Sequence, residues 1–424
     1  MKNIKVAIFP SGTEIGLEIC NALKYEKYIE LYGLTSIEDH SQMVFDKYFF
    51  VPFFKENDFI QKLNEVLKSN EIDYLYPAHD DVLLFLTQRQ AEIEAKVVTS
   101  PLETIEITRS KRKTYEFLYV ESFNPKVYND IEEIEEYPVF TKPDIGQGAQ
   151  GIRKINSREE CKSYFQKKDM VIMEYLPGEE LTVDCFTNQE RNLLSCIPRK
   201  RLRIRNGIAV RSEIMEITDE IISIATKLNN LFEFKGAWFF QIKKDKEGKY
   251  KLLEIAARIP GTMGATRNMG INYPMLTLYV HMGIKVNVHR NYYNLIVDRA
   301  LISRYQIDIK YNHVYVDLDD TLIVKDKINE LLILYLYQCV NRKKSIYLLT
   351  RHKGDILKYL EKYKISKELF EEIIAIDNQP KSTFIKFKEA IFIDDSYRER
   401  REVQKECGIP TFGVDNIECL ISWR

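Results

Sequence analysis

The apolar positions of the chain fall into three stretches with different periods. In the first, short apolar runs at 4–9, 31–34, 73–76 and 96–98 are separated by helix-period segments, one carrying Ile15, Ile19 and Leu23 and others near 58–69 and 81–94. Strands alternating with helices predict a parallel sheet with helices on its faces, an α/β domain over 1–105. The second stretch, 106–308, turns to β-type alternation at Val139–Thr141, Val171–Glu174, Leu181–Phe186, Leu193–Ile197, Trp238–Ile242 and Lys251–Ile255. Helices fit 157–166, 218–231 and 272–283, and Ser110 is the expected N-cap of a helix from Lys111 to Tyr119. This is an α+β pattern, with a hairpin turning at Lys246-Glu247-Gly248. From Tyr311 the pattern resets: three apolar strands end at Asp317, Thr350 and Asp394, and a parallel sheet would gather those ends along one edge, giving a third domain over 309–424.

Composition changes this picture little. A chain of 424 residues, 45% hydrophobic and 29% charged, is globular and too long for one core. Sixty-two Lys+Arg against 63 Asp+Glu leave a formal charge of -1, so no overall field favours nucleic acid or an anionic membrane, and any anion site must be local. The longest apolar run, Leu331 to Leu336, falls far short of a membrane span, and Met1 to Phe9 is too short an apolar run for a secretory leader. The seven cysteines form neither a Cys-x-x-Cys pair nor a metal-ligand spacing with histidine, as in a cytoplasmic protein with reduced thiols.

Chemistry enters at Val-Phe-Thr-Lys-Pro-Asp-Ile-Gly-Gln-Gly-Ala-Gln-Gly, residues 139–151. A strand ending in Lys142 precedes a loop with Gly146, Gly148 and Gly151, which is either a phosphate cradle or a glycine-rich hairpin turn. It is not a Walker A loop, because the lysine precedes the glycines. The turn Ser11 to Gly16 does not fit Gly-x-Gly-x-x-Gly and reads as a strand-to-helix turn before it reads as a dinucleotide loop. Asp80, after Pro77-Ala78-His79, either caps the next helix or faces a ligand at the strand edge. Arg199, Arg201, Arg203 and Arg205, two apart, would share one strand face, where they either hold an anion or protect a solvated edge. On the hairpin, Gln241 and Glu254 could face one metal, and Arg258 could reach a transferred phosphate.

The order Lys111, Lys142-Pro143 with its glycine loop, Glu174-Tyr175-Leu176-Pro177-Gly178-Glu179-Glu180, and Gln241 with Glu254-x-x-x-Arg258 resembles the ATP-grasp superfamily, particularly members similar to the carbamoyl-phosphate synthase large subunit. The resemblance covers about 1–305 and implies a Rossmann-like pre-ATP-grasp domain followed by the ATP-grasp fold. It implies that Lys111 and Lys142 bind ATP phosphates under the loop of Gly146, Gly148 and Gly151, that Glu174, Tyr175 and Leu176 sit at adenine, and Glu180 at ribose. Gln241 and Glu254 would hold Mg²⁺, while Arg258 with Arg199 and Arg201 would face the reacting phosphate and carboxylate. Family members carry Glu-x-Asn where this chain has Ala256, which leaves a second metal ligand in doubt.

The third stretch, with Asp317-Leu-Asp-Asp-Thr321, Thr350, Lys381 and Asp394-Asp395, resembles the haloacid dehalogenase-like phosphohydrolases over about 312–424. That resemblance implies a doubly wound parallel sheet, Asp317 as nucleophile, Asp319 as general acid/base, and Thr350 and Lys381 on the phosphoryl group of a phosphorylated small molecule. Mg²⁺ would be held by Asp317, Asp319 and Asp394, with Asp395 beside it. The short segments between these motifs leave no room for a large cap domain. Together the two resemblances imply an ATP- and Mg²⁺-dependent ligase joining a small carboxylate to an amine, fused to a phosphatase. The alternatives are a kinase-like phosphotransferase and a nucleotide-binding scaffold, while a homo-oligomeric state stays open.

Overall fold

The computed structural model describes residues 3–146, 148, 150–167 and 169–424. The chain folds into two compact units, Met1–Leu301 and Ile302–Arg424. Among the described residues no helix is long and apolar enough to cross a membrane.

The first unit opens on Ile4–Phe9 (β1), whose apolar run is buried, and Glu14–Leu23 (α1), capped by the Thr13 hydroxyl accepting from the Gly16 amide. Ile29–Thr35 (β2), Lys47–Phe50 (β3), helix Phe59–Ser69 (α2), Tyr74–Pro77 (β4), helix Asp80–Gln88 (α3) and Lys96–Val97 (β5) follow. Their sheet has the order β3-β2-β1-β4-β5, and every pairing in it is parallel, as the alternation predicts. Strand β3 escapes the sequence pattern because Lys47-Tyr-Phe-Phe lies half exposed at the sheet edge and has no apolar period. The order reverses between β1 and β4, so the loops after Phe9 and Pro77 flank a crevice at their C-terminal ends. The expected helix over 81–94 stops at Gln88 and gives way to a 3₁₀ turn at Gln90–Glu92.

Helices Leu102–Arg109 (α4) and Lys111–Phe117 (α5) lead onward, and Ser110 caps α5 as expected, its hydroxyl accepting from the Lys113 amide. Val127–Tyr128 (β6), Val139–Pro143 (β7), Arg153–Ile155 (β8), helix Arg158–Phe165 (α6) and Met170–Glu174 (β9) build an antiparallel sheet in the order β6-β9-β7-β8. A second antiparallel sheet follows, formed by Glu180–Thr187 (β10), Leu193–Arg205 (β11), Ile208–Ile214 (β12), Gly236–Lys244 (β13), Tyr250–Ala256 (β14) and Ile296–Asp298 (β15). Its order is β14-β13-β10-β11-β12-β15, and helices Asp219–Leu231 (α7), Gly264–Asn268 (α8) and Tyr273–His281 (α9) interrupt the strands in sequence. Trp238, fully buried, stacks on Phe234 at 3.9 Å between centroids and anchors the core between this sheet and α7. Another core joins Val6 and Ile8 to Met263, Tyr273 and Leu278, so the parallel sheet and the final helices of this unit share one interior.

In the second unit, His313–Val316 (β16) is followed by a small hairpin of Ile323–Val324 (β17) and Lys327–Ile328 (β18), then helix Glu330–Asn341 (α10) and Ser345–Thr350 (β19). Helix Ile356–Lys362 (α11), Glu372–Ala375 (β20), Ala390–Ile393 (β21), helix Tyr397–Cys407 (α12) and Thr411–Phe412 (β22) complete a parallel sheet ordered β20-β19-β16-β21-β22. Alternate strand residues face opposite ways. Val314, Val316, Ile346 and Leu348 pack with Leu332, Leu336 and Leu360 of α10 and α11, whereas Tyr315, Tyr347 and Phe392 pack with Val403 of α12. The sheet is therefore covered on both faces.

Candidate active sites

Lys142 is the penultimate residue of β7 and Lys111 starts α5, and the two line one cavity of about 250 Å³ with Gly146 and Gly148. Glu174, Tyr175, Leu176 and Glu180 line it from the turn between β9 and β10, and Arg201, Gln241 and Glu254 from the larger sheet. The glycine loop needs its glycines: Gly148 and Gly151 sit at φ 64 and 72, and a Cβ on Gly151 would lie 2.9 Å from the Pro143 ring. Gln147 and Ala149 of the same loop lie outside the described residues.

The Lys142 ammonium is buried and donates to the Tyr115 hydroxyl at 2.6 Å and the Leu253 carbonyl at 2.8 Å. Burial, reinforced by the charge of Lys111, pushes its pKa down to about 7, while Glu254 and Glu180 pull the other way. Burial also depresses Lys111, against the pull of Glu254. Asp144 locks the start of α5 to this loop, accepting from the Ser110 hydroxyl at 2.8 Å and the Arg112 amide at 2.7 Å. Polar side chains also connect across the larger sheet. Arg201 pairs with Glu180 and donates to Gln241 Oε1 at 2.9 Å, and Gln241 Nε2 donates to Glu254 Oε1 at 2.7 Å across directly paired strand positions. In this arrangement Arg201 occupies the Gln241 oxygen, so Glu254 is the residue of the expected metal pair that offers a carboxylate. At Glu174 the carboxylate accepts from the Lys126 amide at 2.8 Å, and the Lys154 ammonium lies 4.4 Å from the Tyr175 ring centroid.

A larger cavity of about 820 Å³ adjoins the first, sharing Lys111, Arg201, Gln241 and Glu254 with it and adding Asp80, Arg199 and Arg258. Two expectations need correction here, the Asp80 cap and the single face of the β11 arginines, while Arg258 and Arg199 both line the cavity as ion-paired groups. Arg258, just beyond β14, is held by a two-point ion pair to Asp80 at the start of α3, at 2.7 and 2.6 Å, and so is fixed in the cavity wall. Asp80 does not cap α3: His79 does, its ring nitrogen accepting from the Asp81 amide at 3.2 Å. Burial would raise the Asp80 carboxyl, but Arg258 and Arg109 outweigh it and hold it at about 2. Arg199 is likewise buried and doubly bonded to Asp184, at 2.9 and 3.1 Å. The four arginines of β11 do not share one face, because the pairing with β12 slips around Arg203. Arg203 pairs instead with exposed Asp298, and neither it nor Arg205 lines the two cavities.

The second unit gathers Asp317, Lys381 and Asp394 at the C-terminal ends of β16 and β21. Lys381 Nζ lies 2.8 Å from Asp317 and 2.6 Å from Asp394, and carboxylate oxygens of Asp317, Asp394 and Asp395 come within 4.8 Å of one another. Burial raises Asp317 to about 6 and raises Asp394, with Lys381 opposing both shifts. Three convergent carboxylates suit a hard divalent cation. Asp319, expected among its ligands, is outside this trio and turns to His352 Nδ1, 3.0 Å away. Thr350 is buried, its hydroxyl accepting from the His352 amide at 3.1 Å.

Sequence reading missed Tyr115, Asp144, Asp184 and His352. Two carried a signal: Tyr115 lies four residues after Lys111 and so on its helix face, and His352 stands two residues after Thr350. Asp144 and Asp184 find their partners only through the tertiary fold.

The family model for "ATP-grasp in the biosynthetic pathway with Ter operon" matches residues 166–298. A D-alanine–D-alanine ligase of Fusobacterium nucleatum subsp. nucleatum is 31% identical over 142 residues, which are 31% of this chain and 50% of that ligase, so the likeness spans about half of that relative's length. Among solved structures, the biotin carboxylase domain of the Hydrogenobacter thermophilus 2-oxoglutarate carboxylase, in complex with MgADP, ADP and bicarbonate, superposes with a TM-score of 0.55 at 14% identity. That likeness covers 68% of this chain and 72% of the other. An L-amino acid ligase from Bacillus licheniformis superposes with a TM-score of 0.53 at 18% identity, covering 66% and 74%.

Proposed function

We propose that this chain, a member of the ATP-grasp superfamily, is an ATP- and Mg²⁺-dependent carboxylate–amine ligase that proceeds through an acyl phosphate. The observation that carries the reading is the convergence of Lys111, Lys142 and Glu254, three residues far apart in sequence, on one cavity with a glycine loop at its rim. A carboxylate is a poor electrophile toward an amine, and bringing a triphosphate against it sets anion against anion. Lys142, buried with uncharged hydrogen-bond partners, is suited to offset that repulsion at the transferred phosphoryl group. Lys111 adds a second positive charge from the helix start, and Gly146 and Gly148 let backbone amides approach the phosphates. Glu254, oriented by Gln241, would hold the metal, which supplies charge neutralisation between phosphates when bound. The adjoining cavity offers space for the acid and the amine, with Arg199 and Arg258 fixed in its wall by Asp184 and Asp80. Ligase relatives of both kinds named above support the reaction class. ADP release that depends on both an acid and an amine, and that disappears in Lys142→Ala, is the expected result; undiminished turnover in that variant contradicts it.

At the second unit we propose a separate Mg²⁺-dependent phosphohydrolase of the haloacid dehalogenase-like kind, acting on a phosphorylated small molecule. The Asp317–Lys381–Asp394 cluster at the sheet edge supports it. Asp317 would attack phosphorus, Lys381 and Thr350 would hold the phosphoryl oxygens, and Asp319, aligned by His352, would handle the leaving-group proton. Phosphate release from a phosphomonoester panel by the full chain, abolished in Asp317→Asn, is the test; no release from any ester removes the reading.

A further inference from the structure

Taking the first unit as the ligase proposed above, we infer that its nucleotide cavity admits a single divalent cation, held by Glu254, and that the Arg201 guanidinium supplies in permanent form the positive charge a second cation would bring.

Donor atoms set the count. Mg²⁺ takes oxygen ligands, and a second ion would need donors on this face that the first does not use. Of the carboxylates lining the two adjoining cavities, Glu180, Asp80 and Glu14 are ion-paired to arginines, and Glu174 accepts from the Lys126 amide. That leaves Glu254, which no cation among the described residues reaches within ion-pair distance. Gln241 cannot join it as a ligand. Its amide nitrogen donates to Glu254 at 2.7 Å, which turns its oxygen to Arg201 at 2.9 Å. The reverse orientation would set oxygen against carboxylate and amide against guanidinium, so the two neighbours fix the amide. Position 256 shares a strand face with Glu254, two residues on, but Ala256 carries no ligand atom.

Arg201 stands where the missing charge is wanted. Its guanidinium lies one side chain beyond Glu254, bonded to Gln241 and Glu180, and it donates to the Gly207 carbonyl at 2.6 Å. It lines both cavities. Glu180 does not cancel its charge, because the Lys243 ammonium shares that carboxylate at 3.8 Å and the trio stays net positive. Arg199 and Arg258, by contrast, are each matched by a carboxylate, Asp184 and Asp80. A guanidinium keeps its proton and presents a planar fork that suits phosphate oxygens. One divalent cation neutralises only part of a triphosphate, and Arg201 joins Lys111 and Lys142 in meeting the rest.

The test is equilibrium dialysis with Mn²⁺ and a non-hydrolysable ATP analogue, on the full chain carrying Asp317→Asn and Asp394→Asn to disable the carboxylate trio of the second unit. One Mn²⁺ retained per retained nucleotide at saturating metal is the expected result, and it needs no change in the first unit. Arg201→Met is expected to weaken nucleotide binding at least about tenfold. Adding Ala256→Asn to Arg201→Met leaves Gln241 free and supplies a donor, so the ratio should rise to two and the affinity recover, with a steeper dependence on Mn²⁺. A purely structural role for Arg201 gives no such rescue by metal. Two cations per nucleotide with the first unit unsubstituted overturn the inference and leave the ligase reading standing. Unaltered affinity in Arg201→Met, or a ratio of one without recovery in the paired variant, overturns it as well. No nucleotide retained by the unsubstituted first unit removes the ligase reading, and the single-cation site with it.

Discussion

Among the described residues the hydrogen bonds of the Lys142 ammonium go to a tyrosine hydroxyl and a backbone carbonyl, neither of which carries a charge to compensate it. With its pKa pushed down to about 7 by burial, it is mostly neutral at pH 8. A polyanion placed beside it favours the charged form and draws a proton onto it. Nucleotide binding at pH 8 is therefore expected to take up a proton, read by calorimetry in buffers of different ionisation heat, and the uptake should vanish in Lys142→Met. Tyr115 is the residue that holds Lys142 in place. Tyr115→Phe removes the hydroxyl that links Lys142 to the Leu253 carbonyl, and we expect urea denaturation to show a loss of about 1 kcal/mol, in line with a buried hydrogen bond. Lys111 and Lys142 were singled out by their order relative to the glycine loop, as the resemblance implies, and the fold brings both to one cavity. Tyr115 was not, since nothing in a lone tyrosine says that a lysine from another strand will seek it.

Among the elements, the glycine loop after β7 and the hairpin of β13 and β14 line the cavity proposed to take the nucleotide. Gly151→Ala places a side chain in the left-handed region and against the Pro143 ring. The expected outcome is a higher KM for ATP together with a stability loss of about 1 kcal/mol, because alanine is strained at that backbone conformation. Most strands were legible by their period of two: the predicted runs at 139–141, 171–174, 181–186, 238–242 and 251–255 all lie within observed strands. The arginine stripe of β11 misled for a physical reason. A period of two puts side chains on one face only while the ladder is regular, and the slip around Arg203 turns the later arginines to Asp298 and solvent. Edge strand β3 was missed for the complementary reason, because a half-exposed strand carries no buried stripe.

At the scale of the whole molecule, the Asp80–Arg258 pair ties the start of α3 to the segment just beyond the β13–β14 hairpin, and both side chains are largely buried. Asp80→Ala leaves the guanidinium uncompensated and is expected to cost on the order of 3–5 kcal/mol, whereas Asp80→Leu with Arg258→Met should recover much of that; urea denaturation measures both. This contact joins residues remote in the chain, and sequence spacing had no means of pairing them. The two activities proposed for the two units predict independent failure. Lys142→Ala should stop ADP release and leave phosphate-ester hydrolysis intact, and Asp317→Asn should do the reverse.

The most direct test of the central claim is ADP release by the purified full chain, measured with ATP and Mg²⁺ against a panel of amino acids and other small acids, each acid and each amine omitted in turn. The account predicts ADP formed in step with an amide and only when both partners are present. ADP formed with a stable phosphorylated product and no dependence on an amine would contradict it.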